Sequence, residues 1–477
     1  MRLPFSMNLK ASHTKSYIKQ ALNNDVLRAA VDKATRTAVK KRADKVDAIP
    51  YWEELRYRAH VIKRDVIEHL DTYLQQFETQ AQANGIKVHW AIDAAEARKI
   101  IHAIAVKNNV KTVVKSKSLT TEEIHLNTFL MDRDIQALET DLGEYIVQLL
   151  DHIPSHLTAP ALHLSRQDIG KLFHEKLGVD YTENPNELLS IARARLRKKF
   201  LTADMGISGV NFAIAESGCL TIVENEANAR LTIGLPKVHI AVMGIEKLLP
   251  SFRELAVFLK LLAPSATGQK QTVYVNIIGG PLHTLLGEGP EQVHVILLDN
   301  GRSKILADPQ LRETLFCIRC GACLNACPIY QQVGGHAYGW VYMGPIGATL
   351  IPQYLGVKEG RYAPFVSSLC GACFHACPVR IDIPHHLLKL RHKVVESGHS
   401  KAIEKIGIKA WAFLARYPML YRVATWFPGK VQKLYKKPFP VPGYTKERAV
   451  GLFDGKGFRR RYLDNEKAKG AKNSKLI

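Results

Sequence analysis

Long apolar runs, export signals and nucleotide-binding motifs are all absent from this sequence of 477 residues. No run approaches the roughly 18 apolar residues that suggest a membrane-spanning helix. Residues 1–6 lead into a polar, basic stretch and not into the apolar core of a signal peptide. No G-x-G-x-x-G follows a predicted strand, and there is no P-loop. We therefore expect a cytoplasmic protein without a membrane span and without a nucleotide cofactor of its own.

Cysteine is scarce over most of the chain. Of eight cysteines, only Cys219 precedes Cys317, and the remaining six lie between Cys320 and Cys377. A secreted disulfide scaffold is a small domain with cysteines spread through it. Cysteines clustered in this way indicate instead a metal site in a reducing compartment.

Acidic residues are in deficit. The 44 Asp and Glu face 66 Lys and Arg, which gives a formal net charge of +22. Such a surplus favours anionic partners but does not choose among them. Because the basic residues are dispersed and no nucleic-acid motif is visible, we expect no nucleic-acid partner. Peripheral contact of the basic C-terminal tail with a membrane surface is left open.

The pattern of apolar residues divides the chain into four regions: a helical N-terminal region 1–85, an α/β domain 86–302, a cysteine region 303–397 and a helical extension 398–477. The N-terminal helices are basic and amphipathic, and the run Lys40–Arg42 is expected on a solvated face. In the extension, residues 403–426 are predicted to be helical and aromatic. The basic tail is expected to be poorly ordered from about Asn465.

The α/β domain is predicted from strands that alternate with helices. The predicted strands are 86–90, 112–114, 211–215, 220–223, 238–242, 272–277 and 293–298, and the predicted helices are 93–107, 142–150, 165–177 and 186–201. The alternation favours a largely parallel or mixed sheet. Thr120 is predicted to begin a further helix, with Glu123 completing a capping box. Residues 216–219 are predicted to form a hairpin-like turn.

The clustered cysteines begin with C-x2-C-x2-C-x3-C-P, formed by Cys317, Cys320, Cys323, Cys327 and Pro328. This spacing is typical of bacterial [4Fe–4S] proteins, in which the fourth cysteine ligates the other cluster of a pair. Cysteines three apart on a tight turn bring their thiolates to neighbouring corners of one cube, and Gly321 lets the backbone close around it.

A second copy of the motif follows as Cys370, Cys373, Cys377 and Pro378, and Ser367 stands where the first copy has Cys317. Two [4Fe–4S] clusters are therefore predicted. Crossing the fourth cysteines gives the ligands Cys317, Cys320, Cys323 and Cys377 for the first cluster site, and Cys327, Cys370 and Cys373 for the second. For the fourth ligand of the second site, Ser367, Ser368 and water are alternatives, as is an open or three-iron site.

Zinc is the main alternative metal, but zinc sites usually combine two separated C-x2-C pairs and need no Cys-Pro. Three basic residues are placed to stabilise an anionic cluster, namely Arg319, His375 and Arg380, with solvated side chains as the alternative. Cys219 is interpreted as a plain buried thiol.

Five polar residues at strand ends are candidates for an anion-binding cleft of the α/β domain: Lys115, Lys117, Glu216, Asn225 and Arg230. Ligands tend to bind at strand ends in α/β sheets. The alternative is that these residues cap turns and strands.

Together with the cysteine motifs, several stretches make the sequence similar to the iron–sulfur members of the LUD (lactate utilization) family. These stretches are 115–118 with 122–123, 215–218, 225–228 with Arg230, 342–347, and the helical region from Ile403. The resemblance implies a LUD domain, similar to the CoA-transferase and formyltetrahydrofolate cyclo-ligase fold, followed by an all-α ferredoxin-like dicluster domain. The family pattern also has three cysteines in its second motif, which leaves the fourth ligand undefined.

The resemblance further implies an electron carrier in a complex that oxidises L-lactate to pyruvate and permits growth on lactate. Its implied partners are a cysteine-rich iron–sulfur protein and a second LUD protein. Because the sequence shows no flavin, nicotinamide or haem site, we expect the oxidation itself to take place partly or wholly on a partner. Two alternatives are a LUD-domain transferase or ligase with structural clusters, and a basic iron–sulfur protein that binds nucleic acid.

Overall fold

The computed structural model describes residues 9–282, 289–399, 402–424, 426 and 461–466. Contacts divide the chain into two compact units, residues 1–397 and residues 398–477. Among the described helices, none is long and apolar enough to cross a membrane.

The N-terminal region is helical, as predicted, and consists of α1 (Thr14–Leu22), α2 (Asp25–Val46), α3 (Trp52–Glu68) and α4 (Leu70–Ala83). Asn24 begins α2, because its side chain accepts a hydrogen bond from the backbone N–H of Leu27 at 3.0 Å. Buried side chains of α2 and α3, among them Val31 and Ala59, pack into the same hydrophobic core as the cysteine region. The N-terminal helices therefore form one wall of that region.

The α/β part contains eighteen α-helices and β-strands among the described residues. In chain order its first half contains β1 (Lys87–Ala91), α5 (Ala94–Lys107), β2 (Thr112–Lys115), α6 (Leu119–Glu123), α7 (Leu126–Met131), β3 (Gln136–Glu139), α8 (Leu142–Leu149), α9 (Arg166–Leu177) and α10 (Pro185–Thr202). Its second half contains β4 (Met205–Gly209), β5 (Phe212–Ile214), β6 (Leu220–Glu224), α11 (Asn228–Gly234), β7 (Val238–Gly244), β8 (Leu248–Leu249), α12 (Phe252–Thr267), β9 (Tyr274–Ile278) and β10 (Gln292–Leu298).

A six-stranded parallel sheet forms the centre of the α/β part, in the order β1-β10-β7-β4-β2-β3. Strand β7 is buried along its whole length, as expected for a central parallel strand covered on both faces. The prediction of an α/β fold with a largely parallel sheet is confirmed.

A second sheet has four strands in the order β8-β5-β6-β9. Strands β5 and β6 are antiparallel and are joined by the predicted turn at residues 216–219, in which Gly218 has a φ of +69°. A Cβ at Gly218 would lie 2.3 Å from the backbone nitrogen of Ala81 in α4, so this position requires glycine.

The cysteine region is built from short helices: α13 (Arg302–Leu306), α14 (Ala322–Asn325), α15 (Tyr330–Val333), α16 (Gly344–Tyr354), α17 (Ala372–Ala376) and α18 (Ile383–Glu396). Helix α14 packs on α17, which brings the two cysteine motifs together. Their buried cysteines belong to the core shared with α2 and α3.

The second unit contains α19 (Ala402–Arg416), and residues 418–424 and 461–466 are also helical. Helical structure is thus present in most of the predicted stretch 403–426. The poorly ordered end predicted from about Asn465 lies outside the described residues, except for Asn465 and Glu466.

The predicted capping box at Thr120 is wrong. The N-cap of α6 is Ser118, whose side chain accepts from the backbone N–H of Thr121 at 3.3 Å. Glu123 ends this short helix, and its carboxylate pairs instead with Arg302. The sequence pattern also missed β3, β4 and β8.

Candidate functional site

The two cysteine motifs adopt the same backbone conformation. Arg319 and Gly321, which flank Cys320, have φ values of +60° and +78°, and Leu369 and Gly371, which flank Cys370, have +57° and +84°. Left-handed residues on both sides of a cysteine turn the chain sharply twice and direct its N–H groups inward. The repeat seen in the sequence is therefore also a structural repeat.

Four cysteines line one small cavity: Cys317, Cys320, Cys323 and Cys377. Burial is the main cause of the raised thiol pKa values of Cys320, Cys323 and Cys377, and the negative charges of neighbouring cysteines raise them further. The structure therefore brings together the four residues that the sequence assigned to the first cluster site.

The other three cysteines of the motifs form a neighbouring group. Burial raises the pKa of Cys327, and the charge of Cys370 adds to this shift. Burial likewise raises the pKa of Cys373 to about 12, with Cys327 and Cys370 contributing. Cys323 also interacts with Cys373, so the two cysteine groups lie side by side. Cys370 is the exposed member of the second cluster site.

Backbone N–H groups point at the sulfur atoms. The N–H of Arg319 donates to Cys317 Sγ, and the N–H of Ile381 donates to Cys377 Sγ, each at 3.4 Å. Such donors stabilise a thiolate that carries negative charge. Their arrangement around the first group fits cysteines that bind as thiolates.

The buried thiols of the first cluster site ionise only if a positively charged group, such as iron, binds them. Burial raises the pKa of Cys320 to about 12 and that of Cys377 to about 11. At neutral pH these thiols would stay protonated unless iron displaced the protons. Within the described part of the chain, no three His, Cys, Asp or Glu side chains converge closely enough to hold a single metal ion, so the four cysteines surround a cavity and do not form a single-ion site.

Ser367 occupies the position that corresponds to Cys317. The N–H of Leu369 donates to Ser367 Oγ at 3.1 Å, as the N–H of Arg319 donates to Cys317 Sγ at 3.4 Å. The carbonyl oxygen of Ser367 accepts from Arg391 Nη2 at 3.0 Å. The hydroxyl thus replaces the thiol within an otherwise matching turn.

Two arginines of the N-terminal helices hold the turn before Cys377, and the sequence pattern did not find them. Arg56 donates from Nε to the carbonyl oxygen of Cys377 and from Nη2 to that of Phe374, both at 2.9 Å. Arg42 donates from Nη2 to the carbonyl oxygen of Ala376 at 3.1 Å, although the run Lys40–Arg42 was expected on a solvated face. Both residues bring positive charge close to the first cluster site.

Of the three basic residues proposed to stabilise the clusters, Arg319 is the one whose charge interacts with a ligand cysteine, Cys317. Burial opposes its charge, but Tyr342 and Cys317 contribute to an overall rise of its pKa. The Arg380 guanidinium lies 5.7 Å from the ring centroid of Tyr57, and the His375 ring packs edge-on against Phe374.

A buried ion-pair network joins the α/β part to the cysteine region. Arg302 binds Glu123 through two hydrogen bonds of 2.9 Å and donates from Nε to Glu246 at 2.6 Å. The Tyr342 hydroxyl donates to Glu123 at 2.6 Å. Because its members are nearly inaccessible to solvent, the network holds Arg302 and Tyr342 of the cysteine region firmly against the α/β part.

A cavity of about 280 Å³ lies between the carboxyl ends of sheet strands, helix α12 and the first cysteine turn. Of the five predicted cleft residues, Lys117 and Asn225 line it. The turn contributes Arg319 and Cys320 to its wall, and the residue after Glu246 contributes Lys247, which the sequence pattern missed. No local motif marks Lys247.

The remaining three cleft candidates do not line this cavity. Lys115 is buried and ion-paired with Glu139 at 2.5 Å and with Glu122 at 3.0 Å. Glu216 is exposed in the β5–β6 turn, and Arg230 lies over the ring of Tyr274 at 4.4 Å. Cys219 is half-buried and lies apart from the other cysteines, and its thiol contacts the carbonyl oxygen of Ser217 at 3.8 Å.

Two family models match the chain. A model described as LUD domain matches residues 74–298, and one described as 4Fe-4S dicluster domain matches residues 313–381. The first range contains both sheets, and the second contains every cysteine of the two motifs.

Relatives match over almost the full length. Lactate utilization protein B of Bacillus velezensis is 41% identical over 98% of this chain and 99% of its own. The uncharacterized electron transport protein YkgF of Escherichia coli is 40% identical over 95% of this chain and 97% of its own. Among solved structures, a duf162 family protein from Deinococcus radiodurans aligns with a TM-score of 0.28 and 16% identity, over 48% of this chain and 98% of that chain.

Proposed function

The chain belongs to the lactate utilization protein B family, and from this premise we propose that it is the electron-transfer subunit of a complex that oxidises L-lactate to pyruvate. The family and the matched domains make it an iron–sulfur protein of lactate utilization. The name of the Escherichia coli relative, an uncharacterized electron transport protein, supports the finer proposal.

The proposal depends most on one observation, the division of the seven motif cysteines into two adjacent groups. We assign Cys317, Cys320, Cys323 and Cys377 to one [4Fe–4S] cluster. Cys327, Cys370 and Cys373 are assigned to a second cluster, whose fourth ligand comes from outside the cysteine set. Clusters of this kind supply one-electron transfer when bound.

The residues around the two groups support different roles for them. The first cluster site is buried against the α/β part and is surrounded by Arg42, Arg56 and Arg319. The second has Cys370 at the surface. A surface position suits the exchange of electrons with another protein, since transfer weakens with distance. We therefore propose that a partner protein docks near Cys370.

Lactate oxidation removes two electrons, and the sequence shows no motif for a hydride-accepting cofactor. We therefore propose that a partner carries part or all of that step, and that the partners are a cysteine-rich iron–sulfur protein and a second LUD protein. The proposed setting is the cytoplasm, where thiols stay reduced.

The experiment that tests this function is anaerobic isolation of the native complex, followed by an assay of lactate-dependent dye reduction. We expect Cys320→Ser to abolish dye reduction and the matched variant Cys219→Ser to retain it. If Cys320→Ser supported undiminished dye reduction, electron transfer through this chain would be refuted. If only another 2-hydroxy acid reduced the dye, lactate would be the wrong substrate.

A further inference from the structure

The cavity beside the first cysteine turn is lined in part by basic side chains that do not bind a cluster. It measures about 280 Å³, near the lower end of the size range of small-molecule sites. Leu262, Ala263 and Ala266 of α12 form an apolar side of the cavity. Lys247 and Arg319 add positively charged groups to its lining. An apolar pocket with a few polar groups is the usual form of a ligand site.

Lys247 is the strongest of these polar groups. The residue is 8% exposed, and among the described residues its ammonium group has no hydrogen bond or ion pair. Glu246 and, less strongly, Cys317 supply opposite charge beyond ion-pair distance. A buried charge without a close partner is unfavourable, so the ammonium group favours an anionic ligand. Burial lowers the pKa of Lys247 to about 8, which leaves it largely protonated at neutral pH.

Arg319 has unused hydrogen-bonding capacity at the same wall. Its guanidinium lies 4.4 Å from the ring centroid of Tyr342, and its Nη2 is 3.7 Å from Glu246 Oε1. Its Nη1 is buried and has no hydrogen-bond partner in the structure. A planar guanidinium with a free N–H edge suits a carboxylate, which accepts two parallel hydrogen bonds.

Positive charge exceeds negative charge around this wall. Lys247, Arg302 and the half-buried Arg319 face the carboxylates of Glu123 and Glu246. Burial lowers the pKa of the nearby Lys63 to about 7, so its ammonium group adds only part of a charge at neutral pH. Part of this positive charge is already compensated, because Glu246 and, less strongly, Cys317 raise the pKa of Lys247 against the effect of burial. Lys247 nevertheless lines the cavity, where a soluble anion could reach it.

The other end of the cavity is different. Lys117 donates to the carbonyl oxygen of Thr158 at 2.8 Å and lies 3.9 Å from Asp141. Asp141, Glu224 and Glu226 also line the cavity there. Glu224 already accepts hydrogen bonds from the N–H groups of Ala229 and Arg230 and from Asn276 Nδ2, which leaves Asp141 and Glu226 as acceptors for a ligand. These two carboxylates favour hydroxyl groups and disfavour a second anionic group. The ligand chemistry is therefore asymmetric, with one anionic end and one neutral, hydroxylated end.

We propose that this cavity binds a small hydroxylated organic acid, with its carboxylate between Lys247 and Arg319 and its hydroxyl groups toward Asp141 and Glu226. This inference rests on the proposed function in one respect only. Because Arg319 lies between two cysteines of the first cluster site, a spectroscopic signal of binding requires that the cluster be present. Binding itself is measured independently of electron transfer.

The test is isothermal titration calorimetry of the anaerobic, iron-loaded full chain at constant ionic strength. The probes are L-lactate and D-gluconate, which share a 2-hydroxycarboxylate end and differ in length, and glycerol, which has hydroxyl groups but no charge. We expect saturable binding of at least one acid and none of glycerol. In the reduced protein, the bound acid should shift the electron paramagnetic resonance (EPR) spectrum of the first cluster.

Two variants address the site. Lys247→Met keeps the length of the side chain without its charge and should weaken binding of the acid at least tenfold. Ala266→Leu fills the cavity from α12 and should weaken binding similarly, without altering a charge. The matched control is Lys237→Met, because Lys237 is an exposed lysine paired with Glu291, and it should bind within twofold of the unaltered chain.

The outcomes separate the two proposals. Loss of acid binding in Ala266→Leu with full iron content supports the site even if Lys247→Met loses iron. Unchanged affinity in Ala266→Leu, or equal binding of glycerol, overturns it. If neither acid binds while both clusters are present, this inference fails and the proposed function stands. If the full chain contains no iron, the proposed function fails.

Discussion

Ser367 and Cys317 occupy equivalent positions in the two cysteine turns, and each accepts a hydrogen bond from the backbone N–H of the residue two places later. The donors are Leu369 to Ser367 Oγ at 3.1 Å and Arg319 to Cys317 Sγ at 3.4 Å. The turn that would present a fourth ligand to the second cluster is thus fully formed, but it carries a weaker ligand for iron than a thiolate.

From this relationship we predict that Ser367→Cys completes the ligand set of the second cluster. If the unaltered second site holds three irons, the variant should raise the iron content from about seven to about eight atoms per chain. The EPR signal of an oxidised three-iron cluster should disappear as well. Both quantities are measured on protein prepared without air.

The matched control is Ser368→Cys, which introduces a thiol one position away from the equivalent of Cys317. It should leave the iron content and the EPR spectrum as they are in the unaltered chain. A gain of iron in Ser368→Cys but not in Ser367→Cys would contradict the equivalence of Ser367 and Cys317.

A second prediction concerns the reduction potential of the first cluster. Arg56 is 4% exposed and binds the carbonyl oxygen of Cys377. A buried positive charge stabilises the more negative, reduced form of a cluster, so Arg56→Gln should lower the potential of the first cluster only. A redox titration followed by EPR measures this change.

The exposed Arg58 on the same helix provides the control, since Arg58→Gln removes the same charge from a solvated position. Its effect on the potential should be much smaller. If the two variants shifted the reduction potential of the first cluster equally, the buried position of Arg56 would have no special effect on that potential.

A third prediction follows from a buried histidine in the parallel sheet. His239 on β7 is inaccessible to solvent and bonds through Nε2 to Ser208 Oγ at 2.8 Å. Burial lowers its pKa from 6.5 to about 3. Between these values the unfolded chain binds the proton more readily, so stability is complete above pH 6.5 and falls as the pH is lowered toward 3. At pH 5 the loss is roughly 2 kcal/mol.

His239→Gln should remove this contribution, because glutamine does not titrate. The free energy of unfolding of the unaltered chain and of the variant should therefore converge as the pH falls from 7 to 5. Urea unfolding at each pH measures the difference, and acid damage to the clusters affects both proteins alike. A difference independent of pH would show that His239 does not titrate on unfolding.

The ligand cysteines were predictable from sequence because all seven lie within two short motifs of fixed spacing. Arg56 and Lys247 were not, since tertiary packing brings them to the cysteine region from distant parts of the chain. The capping box at Thr120 failed for a similar reason. Ser118 supplies the cap, and Glu123 is used by Arg302, which is 179 residues away.

Strand β4 was missed because its sequence is rich in glycine. A Cβ at Gly206 would lie 1.8 Å from the carbonyl oxygen of Thr232, so α11 packs directly on the strand backbone. Glycine has low strand propensity, and only the packed structure explains its presence in a central strand. Strand β3 was missed because Gln136–Glu139 has little apolar character.

The central claim is that the cysteines of the two motifs cross to bind two separate clusters. The most direct measurement is EPR spectroscopy of Cys377→Ser and Cys327→Ser, each prepared without air and then reduced. The account predicts that Cys377→Ser alters the same cluster signal as Cys317→Ser, while Cys327→Ser alters the other signal. If Cys327→Ser and Cys317→Ser disturbed one and the same cluster, or if the reduced chain gave no iron-dependent signal, the account would be contradicted.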